Sequence, residues 1–210
     1  MHIGEYIHGA SDVEIADWIA QQIAFDLECE RGAVHIAVPG GSTPFPIFAE
    51  LVKRDIDFAR LVVWPTDDRI VPEDHAASNT GKIRQIFEPI GAKVVALKEG
   101  MDVPHFDMIW LGMGTDGHIA SLFPNTDPDP ADSLAVRRIT PDPLPPEAPF
   151  DRITLTIPIL SRSQRTMFVI RGDEKKAIFE SADAEENDLP IARLLREVNA
   201  LAAGEITCFT

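Results

Sequence analysis

Apolar positions recur at helical spacing through Ile15, Ile19, Ile23 and Leu27. Ser11-Asp-Val-Glu14 precedes them as a capping box and Gly32 stops the pattern, so one amphipathic helix is expected here. Ala33 to Val38 is a short apolar, β-rich run. It leads into Pro39-Gly-Gly-Ser-Thr-Pro44 and then a second helical pattern through Phe48 and Leu51, with Pro44 suited to the first helical position. Leu61 to Trp64 reads as the next strand and Ser78 to Phe87 as the next helix. Val94 to Leu97, Phe106 to Leu111, Ile153 to Ile157 and Thr166 to Ile170 follow as strands. Helices over Lys175 to Ala182 and Pro190 to Leu201, and a strand over Glu205 to Phe209, complete the series. Such alternation predicts an α/β fold: a doubly wound, mostly parallel sheet with helices on both faces, a Rossmann-like three-layer arrangement.

Phe123 to Asp151 breaks the pattern, with eight of the seventeen prolines and repeated Asp. It fits a long surface loop better than a linker, because the segments after it need the earlier sheet to bury their apolar faces. One domain over 1–210 is expected.

Charge narrows the partners. Nineteen Lys and Arg against thirty-four Asp and Glu leave a net charge of -15, which repels nucleic acid and anionic membrane at long range. An anionic small molecule then needs a local cluster of donors and cations. The two cysteines, Cys29 and Cys208, form no disulfide or zinc pattern, and Cys208 reads as a small buried hydrophobe. With neither a signal-like start nor a membrane-length apolar run, a reducing cytoplasm is the expected compartment. The pattern carries no oligomeric state.

In parallel open sheets, chemistry gathers at the carboxyl ends of strands, and three such turns are unusual. In the first, Gly40 and Gly41 allow close backbone approach, and Ser42 and Thr43 lead into a helix N-terminus. It suits a phosphate, or else is a tight turn with Ser42 or Thr43 as N-cap; no Lys follows in the manner of an ATP-binding P-loop. The second ends a strand in Asp67, Asp68 and Arg69. Here one carboxylate can enter a site while the other is solvated, and Arg69 offers a planar fork for phosphate or carboxylate; a solvated acidic loop with a local ion pair is the alternative.

The third turn, Leu111-Gly-Met-Gly-Thr-Asp-Gly-His118, formally spells the glycine pattern of a dinucleotide site. It lacks the second strand and acidic residue about 20 positions on that such a site requires. What remains is His118 at the start of an expected helical turn, Ile119 to Phe123, with Asp116 two residues earlier. A neutral histidine beside a carboxylate is a candidate general base. Ser121 lacks a nucleophile-elbow context and reads as structural. The default of a satisfied or capping histidine applies to His2, His8, His35, His75 and His105, with His35 packed inside its strand.

Together these turns resemble the 6-phosphogluconolactonases, within the wider group that includes the glucosamine-6-phosphate isomerase/deaminases. The matching pieces are Gly40 to Pro44, Asp67 to Arg69 with Asp74-His75 and Ser78-Asn79, Leu111 to Pro124, Arg152-Ile-Thr-Leu-Thr, and Gly172-Asp-Glu-Lys175. The resemblance implies hydrolysis of 6-phosphoglucono-δ-lactone in the oxidative pentose phosphate pathway, with no metal or organic cofactor. It implies His118 as base with Asp116 beside it and Asp67 in the site, and a phosphate held by Gly40, Gly41, Ser42, Thr43, Arg69 and Lys175. Pro65-Thr66 departs from the family pattern, which usually has a small residue and Gly before the acidic pair. Isomerase/deaminase chemistry needs a carboxylate five residues after the histidine, where this chain has Phe123. A non-catalytic sugar-phosphate sensor would be expected to lack His118.

Overall fold

The computed structural model describes residues 4–29, 32–146, 148–184, 186–201 and 204–210; His2 lies outside them. In chain order the elements are β1 (Glu5–Ile7), α1 (Asp12–Cys29), β2 (Val34–Val38), α2 (Pro44–Leu51), β3 (Leu61–Pro65), β4 (Asp67–Arg69), α3 (Asn79–Phe87), β5 (Lys93–Val94), β6 (Met108–Leu111), β7 (Val136–Ile139), β8 (Arg152–Leu155), α4 (Ile157–Leu160), β9 (Arg165–Val169), α5 (Asp173–Asp183), α6 (Pro190–Leu201) and β10 (Glu205–Phe209).

Among the described residues seven strands form a parallel sheet in the order β1-β10-β9-β6-β2-β3-β5. Side chains alternate across it, so the central strands feed two cores. Val34, Ile36, Val38, Met108, Trp110 and Met167 meet the inner faces of α1, α2 and α3. Ala37, Ile109, Leu111, Phe168, Ile206 and Cys208 meet α4, α5 and α6 on the opposite side. Each fully buried Ile, Leu or Phe contributes about 1.5–3 kcal/mol relative to exposure. This is the expected three-layer α/β fold, and its strand order reverses between β2 and β6.

Helix α1 begins as its sequence requires. Ser11 N donates to Glu14 Oε2 at 2.8 Å and Glu14 N returns to Ser11 Oγ at 3.3 Å. Helix α2 starts at Pro44. His35 is packed in β2, where its Nδ1 accepts from Trp64 Nε1 at 3.2 Å.

Four expectations change. Glu5–Ile7, unassigned by pattern, is an edge strand beside β10. The third strand-forming run, expected over Val94 to Leu97, is a two-residue strand, Lys93–Val94. Ile153 to Ile157 is not a main-sheet strand: β8 belongs to a separate antiparallel sheet, β4-β8-β7. Finally, the Pro-rich segment is not irregular throughout, since it contributes β7 and buries Val136 completely. The small sheet arises where the chain leaves β3. Thr66 N still bonds Val38 O at 2.9 Å, while Thr66 O accepts from Leu155 N at 2.9 Å, so pairing passes from one sheet to the other within a residue.

Candidate active site

Four loops converge over the strand-order reversal, following β2, β3, β6 and β9, which are neighbours in the sheet. They line a cavity of about 390 Å³, within the range of small-ligand sites. Among the residues lining it are Gly40, Gly41, Ser42 and Thr43 from the first loop, Asp67 and Arg69 from the second, His118 from the third, and Lys175 from the first turn of α5. Of the expected site residues, Asp116 stands behind His118 and does not line the cavity.

The first loop is built for close approach. Gly41 has φ 92°, a conformation that disfavours any side chain. A Cβ on Gly40 would stand 2.0 Å from Asn79 Oδ1. Thr43 occupies the N-cap position of α2 without a side-chain capping bond, so the simple helix-cap account of its hydroxyl does not hold.

Asn79, which the sequence reading did not single out as a site residue, joins the first two loops. It packs on Gly40, donates from Nδ2 to the Asp67 carbonyl at 3.0 Å and accepts from Arg69 Nη1 at 3.0 Å. Its place directly after the Ser78 N-cap was the available signal. Arg69 Nη1 also donates to Ala77 O at 3.0 Å. Its Nε is buried with no hydrogen-bond partner among the described residues, a donor held in reserve beside the cavity.

The adjacent carboxylates part company, but neither is solvated. Asp68 is 6% exposed and sits at the N-terminus of α3, accepting from Asn79 N at 2.6 Å, Thr80 N at 2.8 Å and Ser78 Oγ at 3.2 Å. A carboxylate there satisfies orphan helix donors and complements the dipole. Asp67 instead faces the cavity, with its Oδ2 2.5 Å from Ser121 Oγ. Burial lifts its carboxyl above the usual range, against the Ser121 hydrogen bond and the charges of Arg69 and His118.

The third loop carries a histidine–carboxylate pair. His118 Nδ1 lies 2.5 Å from Asp116 Oδ1, and the same oxygen accepts His118 N at 3.2 Å. A carboxylate only accepts, so Nδ1 is the protonated nitrogen, and in the neutral imidazole the lone pair falls on Nε2. Burial pushes the Asp116 carboxyl up, yet hydrogen bonding and charge from His118 outweigh it and leave it below the ordinary range. The Phe123 ring stands 4.6 Å from the imidazole, centroid to centroid. Gly114 leaves the space this pair occupies, since a Cβ there would lie 2.2 Å from the imidazole.

The expected helical turn after His118 is absent. Ile119 bridges both Met113 and Leu122, and Ala120 has φ 47°. The apolar spacing of Ile119, Leu122 and Phe123 resembles a helix face, but a tight reversal buries Ile119 and Leu122 and leaves Phe123 half-buried. Among the described residues no group of three or more His, Cys, Asp or Glu is arranged to hold a metal ion.

The family model for glucosamine-6-phosphate isomerases/6-phosphogluconolactonase matches residues 10–97 and 87–202. A 6-phosphogluconolactonase of Neisseria meningitidis serogroup A is 31% identical over 91% of this chain and 92% of its own length. That of Homo sapiens is 30% identical over 85% and 80%. The solved 6-phosphogluconolactonase from Trypanosoma cruzi covers 100% of this chain and 95% of that one, with a TM-score of 0.79 at 23% identity, a likeness of fold.

Proposed function

We propose, from the premise that the chain belongs to the glucosamine-6-phosphate isomerase/6-phosphogluconolactonase family, that it hydrolyses 6-phospho-D-glucono-1,5-lactone to 6-phospho-D-gluconate in the oxidative pentose phosphate pathway. The observation that carries this reading is the Asp116-supported His118 opening onto the same cavity as a glycine cradle, Lys175 and an arginine with an unused buried donor.

In this reading Gly40, Gly41, Ser42, Thr43, Arg69 and Lys175 hold the substrate phosphate. Local cations are needed because the net charge of -15 opposes an anion's approach. Binding at that end holds the lactone C1 near His118 and removes much of the entropic cost of reaction. Nε2 of His118 takes a proton from water as the oxygen adds to C1. The C1–O bond to the ring oxygen then breaks, and the imidazolium returns the proton to that oxygen. Asp116 stabilises the transient cation. A lactone is an activated ester, so water serves as nucleophile and no cofactor enters the scheme.

The isomerase/deaminase alternative is disfavoured by Phe123, whose ring packs on His118 where that chemistry calls for a carboxylate. Among the described residues no helix is long and apolar enough to cross a membrane. A cytoplasmic protein acting on a small sugar phosphate, without nucleic acid or membrane as partner, fits the acidic charge.

The test is acid release from 6-phosphogluconolactone above the spontaneous rate. His118→Ala is expected to lower kcat by about 10²–10⁴-fold, and Lys175→Ala to act mainly on KM. Equal rates for wild type and His118→Ala refute the mechanism, and deamination of glucosamine 6-phosphate by the wild type supports the alternative.

A further inference from the structure

Ser121 is 1% exposed, and its hydroxyl reaches a carboxylate 54 positions away in the chain, 2.5 Å from Asp67 Oδ2. Its backbone N donates to Thr154 Oγ1 at 3.3 Å, and Thr154 is the cross-strand partner of Asp67 in the small sheet. Strands β4 and β8 and the turn after His118 therefore meet at this residue. The turn that delivers it holds Ala120 at φ 47°, a conformation that persists for a non-glycine residue when its surroundings over-determine it.

We propose that Ser121 is a positioning residue of the active site, whose hydroxyl fixes the Asp67 carboxyl group at the cavity wall as hydrogen-bond acceptor for a hydroxyl of the bound sugar lactone. The inference rests on the lactonase reading above and extends it to a residue outside the cavity lining.

A carboxylate with 9% exposure has little water to stabilise its charge, so burial pushes its carboxyl up and the donors around it oppose that push. The charged groups facing Asp67 are Asp68 and Arg69 on its own strand, Arg152 on β8 and His118 on the glycine loop; Lys175 of α5 lines the same cavity. Arg69 and His118 favour the ionised form and Asp68 opposes it. Arg69, although nearest in sequence among the cations, directs Nη1 to Ala77 O and Asn79 Oδ1. The remaining side-chain donor to Asp67, Thr66 Oγ1, is 3.4 Å from Oδ1, a distance at which a hydrogen bond is weak. The short bond from Ser121 is the principal one.

The experiment uses the full chain with Ser121→Ala, Ser121→Cys, Ser121→Thr and Asp67→Asn. It measures kcat/KM against pH, Tm, and the pH titration of ¹³C-labelled aspartate carboxyls without substrate, with the Asp67 signal assigned by its loss in Asp67→Asn. Ser121→Ala is expected to lose about 10- to 100-fold in kcat/KM at neutral pH, the scale of a hydrogen bond to a charged group. Its acid limb and its Asp67 carboxyl signal both move to higher pH. Ser121→Thr restores both, and Ser121→Cys, of similar volume but a weaker donor, falls between and carries the test if the alanine variant does not fold. Activity that falls in step with Tm, with the limb and the Asp67 titration unmoved, overturns the proposal in favour of a purely structural serine. If the wild type does not hydrolyse the lactone, the functional reading fails by itself, while the substrate-free titration still decides whether Ser121 controls Asp67.

Discussion

Gly114 separates catalysis from stability at a single position. A Cβ added there would lie 2.2 Å from both Cε1 and Nδ1 of His118 and 2.6 Å from Asp116 Oδ1, whereas ordinary contact begins at 3.4 Å. Gly114 is not among the residues with positive φ, so its backbone accepts alanine. Relief must come from the far end of a flexible side chain, and the imidazole has to retreat by about 1.2 Å, the difference between those two distances. Rotating it off its preferred position costs roughly 0.5–1.5 kcal/mol, a fall in Tm of only a few degrees for a chain of this size. The same movement takes Nε2 away from the reacting water, and a misplacement of about 1 Å can cost about 100-fold in rate, or about 2.7 kcal/mol of barrier. Gly114→Ala is therefore expected to lower kcat about 100-fold and leave KM within about 2-fold, because the residues proposed to hold the phosphate lie on other loops. Gly112→Ala gives the comparison: its Cβ would meet nothing nearer than Pro39 Cβ at 3.8 Å, and its loss should be far smaller. Proton release with the spontaneous rate subtracted, alongside a thermal melt, measures both quantities. A Gly114→Ala enzyme with kcat within about 2-fold of wild type would refute the argument that this glycine makes room for the base.

The neighbouring carboxylates should respond in opposite ways. Asp68→Ala leaves the buried N–H groups of Asn79 and Thr80 without their acceptor, at a cost of about 3 kcal/mol; this corresponds to a Tm lower by roughly 6–12 °C, and a melt unchanged within about 2 °C would contradict the capping role. Asp67→Asn should be inactive but more stable at pH 8. A carboxyl whose folded-state pKa is raised binds its proton more tightly when folded, so ionisation removes stability as pH rises through the folded value. The gain over wild type should shrink on acidification and vanish below about pH 4, where the carboxyl is protonated even in the unfolded chain; Tm against pH for the two proteins decides it.

Elements whose signal is local were legible in the sequence. The capping box at Ser11 and Glu14, the proline opening α2 and the glycine-rich loop after β6 each depend on neighbours a few residues apart, and each is present. The residues of the site were legible as candidates, because strand-end turns with glycines, carboxylates and a histidine are scarce. What each carboxylate touches was not. Asp67 and Asp68 differ by one position, and their separation follows from a chain passing between two sheets at Thr66, with long-range partners in Ser121 and α3. Strand β7 was hidden for a related reason: Val136–Ile139 is a short run among prolines and gains its order from β8, which lies beyond the proline-rich stretch. The reversal at Ala120 imitated a helical apolar face and differed only in backbone handedness, which residue spacing does not encode.

The pairing of β1 with β10 has a consequence for how the molecule is made. Glu5 lies opposite Thr207 and Ile7 opposite Phe209, with Thr210 N bonded back to Ile7 O at 3.0 Å. On the ribosome the glycine-rich loop after β2 and the Asp67 loop after β3 can form against each other early, while β1 has no partner until β10 has emerged. Until β10 emerges, β1 thus leaves the nascent chain an unpaired strand edge of its own, one that a factor shielding exposed strands would have to release before the sheet can close.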